Sequence, residues 1–361
     1  MNKIAVYPLP PKEFMFLATG GTDENVFLAT GRHDQETVLA LLKGAGLDQT
    51  NKNSRILDWG CGCGRLARHW APPLENVELY GCDIADGPVR WCQDNLTFGK
   101  FAVSKHSPPL PHVDGYFDGI YAISVLTHLT FDAQYLWMGE IWRLLKPEGI
   151  AVLTAHGNSM LQLLATSLIS RQSTKITVNL INDDPFLCVE QEQGSNDTGN
   201  YENASVFTKI FHPFEILKHR PRNNLMGIQD TYVLRKKSSK SLTLVQDFFA
   251  GDLVGADFHV EIKIELNGET HFSVLAAARE LMQPATIRLT LRRSGDMQTI
   301  AASDPVELPA LASWARLENA FAFLALECGP AFVGPCVLCV DVTAPAPLQK
   351  SRLQLKQAML F

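Results

Sequence analysis

Asp58-Trp59-Gly60-Cys61-Gly62-Cys63-Gly64 follows the short apolar run Ile56-Leu57 and leads into Arg65-Leu66-Ala67-Arg68-His69-Trp70. That order is the order of a buried strand, a glycine-rich turn and the start of a helix. Glycines in alternation let a backbone reverse tightly and approach a ligand without side-chain clash, while amides at a helix start offer hydrogen bonds to a polar group. A dinucleotide fingerprint would read Gly-x-Gly-x-x-Gly, and a phosphate loop would place Lys and Ser/Thr after its last glycine. Neither pattern occurs at Asp58–Gly64.

Working outward, Val77-Glu78-Leu79-Tyr80-Gly81-Cys82-Asp83-Ile84 is a second apolar run that ends in a carboxylate. An acid at the end of the second strand of an α/β unit can accept two hydrogen bonds from a ribose diol. A dehydrogenase would use Asp83 in the same way, so the glycine spacing is the discriminating feature. From Arg55 to about Ala155 apolar runs alternate with helical periodicity, which predicts a doubly wound, Rossmann-like, mostly parallel sheet. Pro88–Leu96 reads as a helix with Pro88 in its first turn, Phe101-Ala102-Val103 as a third strand, and Phe117–Ile123 as a fourth. Asp132 is placed to cap a helix through Trp137, Ile141 and Leu145 that Lys146-Pro147-Glu148-Gly149 ends, and Gly149–Thr154 is a fifth strand.

These residues resemble the class I S-adenosylmethionine-dependent methyltransferases. An acid two residues before Gly-x-Gly-x-Gly resembles motif I of that family. Pro108-Pro109-Leu110-Pro111-His112-Val113-Asp114-Gly115-Tyr116-Phe117-Asp118 resembles its segment before strand four, and Leu144-Leu145-Lys146-Pro147-Glu148-Gly149 its ending before strand five. The resemblance covers roughly residues 20 to 236. It implies S-adenosyl-L-methionine as cofactor, with Asp58 beside the methionine part, Gly60, Cys61, Gly62 and Gly64 against it, Asp83 on the ribose and Ile84 flanking adenine. Ala122, Ile123 and Ser124 would line the methionyl end. Where many relatives carry an Asp toward the adenine amino group, this chain has His106 and Ser107.

At 361 residues the chain is long enough for two domains. The expected division is a methyltransferase domain over 1–237, with a helical lead-in over 1–54 and an insertion over 157–211, then a linker over 238–245 and an accessory domain over 246–361. The closing antiparallel strands of the first sheet are expected at Leu225–Ile228 and Thr231–Leu234. The insertion, helix-like from Met160 to Ile169 and polar around Gln191–Asp197, is expected to form a lid or substrate wall. Beyond the linker the character is all-β: Phe258–Leu266 and Ile287–Arg292 alternate with period two, and Asn267-Gly268 is a favoured hairpin pair. A β-sandwich is expected there, without a catalytic motif.

A net charge of −6 from 32 basic and 38 acidic residues gives no electrostatic footprint for nucleic acid. No run of about 18 or more apolar residues occurs, so no membrane span is expected, and the proline-interrupted N-terminal stretch has no signal-peptide core. Eight cysteines scattered through apolar runs suit a reducing cytoplasm. Cys61 and Cys63 are too closely spaced, with no second pair, for a structural metal site, and none is expected.

His128, in Ser124-Val125-Leu126-Thr127-His128-Leu129, follows the end of strand four, and a histidine there can take the proton of a hydroxyl acceptor; a loop hydrogen bond is the other role open to it. His156 after strand five is a weaker candidate of the same kind, and Trp137 and Trp142 are expected in the core. Asp-Trp-Gly-Cys-Gly-Cys-Gly-Arg with Ser-Val-Leu-Thr-His-Leu further resembles a bacterial subgroup associated with glycosyltransferases. That resemblance implies O-methylation of a glycan or small-molecule hydroxyl and a glycosyltransferase partner. A methyltransferase of secondary metabolism and a non-catalytic scaffold keeping the cofactor fold remain alternatives.

Overall fold

The structure is a computed structural model describing residues 7–47, 54–70, 77–158, 160, 175–181, 184–190, 198–202, 204–221, 229–236, 243–267, 271–279, 284–308, 317–328 and 332–360. The chain forms two compact units. One takes residues 1–174, 191–201 and 211–238, and the other takes 175–190, 202–210 and 239–361.

The first unit is built on strands β1 (Ser54–Trp59), β2 (Val77–Asp83), β3 (Lys100–Val103), β4 (Phe117–Ala122) and β5 (Leu145–Ala155). These five are parallel. After the intervening β6 (Lys175–Ile181), β7 (Asp184–Glu190) and β8 (Thr198–Glu202), the sheet is completed by β9 (Phe214–Arg220) and β10 (Asp230–Lys236). Its order is β3-β2-β1-β4-β5-β10-β9, with β10 antiparallel to both β5 and β9. Strands β1 and β4 are buried over nearly their whole length, as expected where helices cover both faces of a parallel sheet. Strand order reverses at β1 and β4, so the carboxyl ends of β1, β2 and β4, at Trp59, Asp83 and Ala122, share the edge where such sheets bind ligands.

Of the helices α1 (Lys12–Thr19), α2 (Glu24–Gly44), α3 (Asp86–Asn95) and α4 (Phe131–Leu144), α2 and α4 pack on β5, α3 on β2 and β3, and α1 on α2. Asp23 caps α2, its side chain accepting from the Val26 amide at 2.9 Å. Among the described residues no helix is long and apolar enough to cross a membrane.

Several expectations need correction. Arg65–Trp70 does not start an α-helix: turns are followed by a single 3-10 turn at Ala67–Trp70. The stretch is held by its apolar residues Leu66, Ala67 and Trp70 in the core and by its backbone and charges. Gly31 of α2 lies against the Arg65 carbonyl, and Arg65 pairs with Asp34 at 2.7 Å. Asp132 is not the cap of α4. Thr130 takes that position, and Asp132 lies in the first turn, where its charge suits the helix dipole and where it accepts from Thr130 Oγ1 at 2.6 Å. The strand preceding β10 is Phe214–Arg220, while 225–228, the helix beyond Met160 and the start of the linker lie outside the described residues.

The insertion divides between the units. Strand β6 pairs in parallel with β16 (Leu317–Glu327) and β7 pairs with β6, so these segments extend the second unit's sheet; α5 (Ala204–Ile210) also belongs to that unit. Other strands there are β11 (Thr243–Asn267), β12 (His271–Arg279), β13 (Ala285–Arg293), β14 (Thr299–Ala302), β15 (Val306–Leu308) and β17 (Val333–Leu360). Strands β11 and β17 pair along almost their entire length, with register shifts between Gln246 and Phe249 and between Leu253 and Asp257. One half of β17 pairs with β13 and the other half with β12, which pairs in turn with β16. One core unites Ile287, Leu289 and Leu291 with Leu338, Val340 and Val342, and with Phe272, Val274, Leu324 and Leu326. Two long strands, β11 with bulges, run through both halves of this antiparallel β unit around that core.

Candidate functional site

At the carboxyl edge of the first sheet a cavity of about 480 Å³ is lined by Asp58, Gly60, Cys61, Gly62, Asp83, Ile84, His106, Ile123, Ser124 and His128, among others. Its volume falls within the range of pockets that take small ligands and cofactors, ~300–1,000 Å³. Of the expected cofactor-binding residues, Gly64, Ser107 and Ala122 do not line it, and neither does the second candidate histidine, His156.

The glycine turn is shaped by positive φ at Gly60 (81°), Gly62 (50°) and Gly64 (75°). A Cβ on Gly60 would lie 2.2 Å from Val125 Cγ2, and one on Gly64 would lie 2.4 Å from Leu96 Cδ1. These two glycines let the turn pack on its neighbours. A Cβ on Gly62 would meet nothing within 4 Å, so Gly62 is the one that leaves open space over the cavity. The amides expected to point at a ligand are largely engaged within the protein: Gly60 and Cys61 donate to the Cys82 carbonyl at 2.8 and 3.0 Å, and Gly62 donates to Asp83 Oδ2 at 2.9 Å. Asp83 Oδ1 accepts from the Ala85 amide at 2.9 Å. Each Asp83 oxygen thus has one amide donor and a further lone pair for a ligand hydroxyl.

Asp58 is buried at the end of β1, and desolvation pushes its carboxyl up to about 7. The Tyr121 hydroxyl and Arg65 pull the other way, while Asp83 adds to the rise. Tyr121 acts by proximity, because its hydroxyl meets hydrogen-bond geometry with no partner. Cys61 and Cys63 are buried free thiols. Burial drives Cys61 well above the ordinary thiol range and Cys63 up to about 12, and Cys63 donates to the Phe14 carbonyl at 3.4 Å.

Ser124, after β4, has φ 64°, a left-handed conformation costing a non-glycine residue about 1–3 kcal/mol. Three partners hold it there. Its amide donates to Thr154 Oγ1 at 2.8 Å, its carbonyl accepts from Thr127 Oγ1 at 2.8 Å, and its hydroxyl meets the Gln229 side chain, which donates at 2.7 Å. The result turns the chain so that Ser124, Val125 and His128 all reach the cavity wall. His128 ends the short 3-10 turn Leu126–His128, its amide bonded to the Val125 carbonyl at 3.0 Å.

Other walls were missed in the sequence. Phe14, Leu17 and Ala18 of α1 line the cavity, and Arg68 ties the preceding segment down by donating to the Tyr7 and Pro8 carbonyls at 2.9 and 2.7 Å. The apolar run Phe14–Leu17 was the available signal. Trp137 is buried, as expected of a core residue, and also lines the cavity, 4.9 Å from the Trp59 ring and donating through Nε1 to the His106 carbonyl at 3.1 Å. Leu110 to Asp114 is fixed on α4: the Leu110 amide donates to buried Glu140 at 2.7 Å, and Arg143 donates to the His112 carbonyl and Asp114, both at 2.8 Å.

Residues 57–153 match the model of a methyltransferase domain. The chain is 28% identical over 151 residues to the malonyl-[acyl-carrier protein] O-methyltransferase of Geobacter sulfurreducens, covering 41% of this chain and 54% of that protein. It is 33% identical over 108 residues to the sterol 24-C-methyltransferase erg6 of Schizosaccharomyces pombe, 27% of this chain and 26% of that one. The chain therefore spans about half the length of one curated relative and a quarter of the other. A solved methyltransferase of Methanosarcina mazei is similar at 17% identity and a TM-score of 0.41, over 52% of this chain and 95% of that one. The sheet order, the glycine turn between two strand-end carboxylates and the matched segment agree on a methyltransferase domain around residues 57–153.

Proposed function

We propose that this chain transfers a methyl group from S-adenosyl-L-methionine to a hydroxyl of a glycan or other small molecule. The observation that carries the reading is one cavity joining the Gly62–Asp83 cradle to His128. The cavity residues fit the cofactor: Asp83 has lone pairs for a ribose diol, half-exposed Ile84 offers an apolar face for a base, and Gly62 leaves room against the backbone. When bound, S-adenosylmethionine supplies a methyl group already activated by its sulfonium.

The protein's own part is alignment, exclusion of water and removal of a proton. Trp59, Trp137 and the α1 residues Phe14 and Leu17 supply the apolar walls. The clamped Ser124 turn sets the position of the His128 backbone. His128 accepts the hydroxyl proton of the acceptor as its oxygen becomes a methyl ether, and releases it to solvent. Asp58 and the Cys61 and Cys63 thiols take no proton in this scheme.

The Geobacter sulfurreducens relative is an O-methyltransferase by name, which supports an oxygen acceptor. A glycan acceptor, with a glycosyltransferase working beside it, rests on the motif resemblance alone. The test begins with calorimetry: measurable binding of S-adenosylmethionine is expected, and its absence would leave only the scaffold reading. Oligosaccharide, phenol and amine acceptors are then assayed for methyl transfer. His128→Ala is expected to lower turnover about 10²–10⁴-fold with cofactor affinity unchanged. Undiminished turnover would remove His128 from the role of base.

A further inference from the structure

On the side of the β11–β17 ladder away from the second unit's core lies a side-chain cluster that methyl transfer does not use, with His259 and Glu261 exposed and Cys339 buried beneath them. In the antiparallel register of β11 and β17, His259 lies opposite Asp341 and Glu261 lies opposite Cys339. Alternation sends Leu338, Val340 and Val342 into the core, with Val260 and Ile262 packed against it, so His259, Glu261, Cys339 and Asp341 share the opposite face. One potential ligand atom from each of His259, Glu261 and Cys339 lies within 4.8 Å of the other two. No other group among the described residues brings three such atoms together.

The hydrogen bonding shows where a cation would enter. His259 Nδ1 is 2.6 Å from Asp341 Oδ1, a partnership that places a ring proton on Nδ1. Nε2 faces Glu261 Oε1 at 3.4 Å, a gap bridged either by a second ring proton, which the two carboxylates favour, or by a cation that takes its place. Tetrahedral zinc with Zn–N and Zn–O near 2.0–2.2 Å separates its ligand atoms by about 3.4 Å. The Cys339 sulfur supplies a third vertex, and a carboxylate behind the histidine is the usual outer partner of a zinc-bound imidazole. Nitrogen, oxygen and sulfur donors together favour zinc-class ions over calcium or magnesium. Two arginines balance the charge: Arg288 is opposite Asp341 on β13, and Arg292 acts electrostatically on Cys339.

We propose that His259, Glu261 and Cys339 bind a zinc-class divalent cation, with Asp341 orienting the histidine and water in the fourth position. Binding displaces the Cys339 thiol proton to solvent and joins β11 to β17 in mid-ladder. The site is independent of the methyl-transfer reading.

The experiment uses the full chain, stripped with chelator and titrated with Co²⁺, then with Zn²⁺ in competition. One equivalent of Co²⁺ is expected to give a thiolate-to-cobalt charge-transfer band that Zn²⁺ removes. Cys339→Ser is expected to abolish the band. His259→Gln, at an exposed position that the fold tolerates, is expected to weaken Zn²⁺ binding at least tenfold, and Asp341→Asn about 10–100-fold. Absence of the band in the wild-type chain, its persistence in Cys339→Ser, or equal Zn²⁺ affinity in His259→Gln would each overturn the proposal.

Discussion

Asp58 holds a carboxyl in a place that disfavours its charge, and the effect can be read in stability. Its folded value of about 7 lies above the ordinary 3.8, so between these the folded protein keeps a proton that the unfolded chain has lost. Stability from this group therefore falls as pH rises from about 4 to 7 and levels off above. About three pH units correspond to roughly 4 kcal/mol. Asp58→Asn is expected to raise the melting temperature at pH 8, with the gain shrinking toward zero near pH 4, in thermal unfolding followed across that range. A gain independent of pH would mean that Asp58 is already ionised without penalty. At this scale the sequence shows which residues meet, because motif spacing places Asp58, Gly62, Asp83 and Ser124 at or just past the carboxyl ends of β1, β2 and β4. It does not show how they are held: the left-handed Ser124 depends on Gln229, 105 residues away, and no local pattern announces that bond.

Among the elements, α2 and the glycine turn are fitted at one point. A Cβ on Gly31 would lie 2.3 Å from the Arg65 carbonyl oxygen, a backbone atom that cannot swing aside. Gly31→Ala is expected to destabilise by about 1–3 kcal/mol and to weaken cofactor binding by moving the turn. Gly44, in the last turn of the same helix, has no atom within 4 Å of such a Cβ, and Gly44→Ala is expected to be neutral or to stabilise by about 0.5–1 kcal/mol. Chemical denaturation of both variants, with calorimetry for the cofactor, checks the contrast. Strands β1, β2, β4 and β5 were legible because each contains a buried apolar run near the expected position, while in β3 only Phe101 is buried. The Arg65–Trp70 stretch was misread because its helix-like composition is overridden by tertiary backbone contact with α2. Likewise β9 was missed at Phe214–Arg220, where a mostly exposed edge strand carries too few apolar residues to be recognised.

For the whole molecule, the second unit gathers 175–190, 202–210 and everything from 239 onward. Its membership was not legible, since β6 finds its partner β16 only after some 140 residues of intervening chain, and period-two patterning says nothing of distant pairing. Truncation after Ser238 would leave the β6–β7 hairpin without β16. Aggregation is expected on size-exclusion chromatography, whereas a chain that also lacks 175–210, bridged by a short Gly/Ser linker, is expected to elute as a discrete species. A truncated chain that stays dispersed with 175–210 in place would show that the hairpin does not need the sheet.

The same long-range pairing bears on how the protein is made. At roughly 5–20 residues per second, β6 and β7 emerge on the order of ten seconds before β16 exists to receive them. During synthesis the methyltransferase sheet can close while this hairpin still presents an open edge to other nascent chains and to chaperones, so yield in a cell depends on how that interval is guarded.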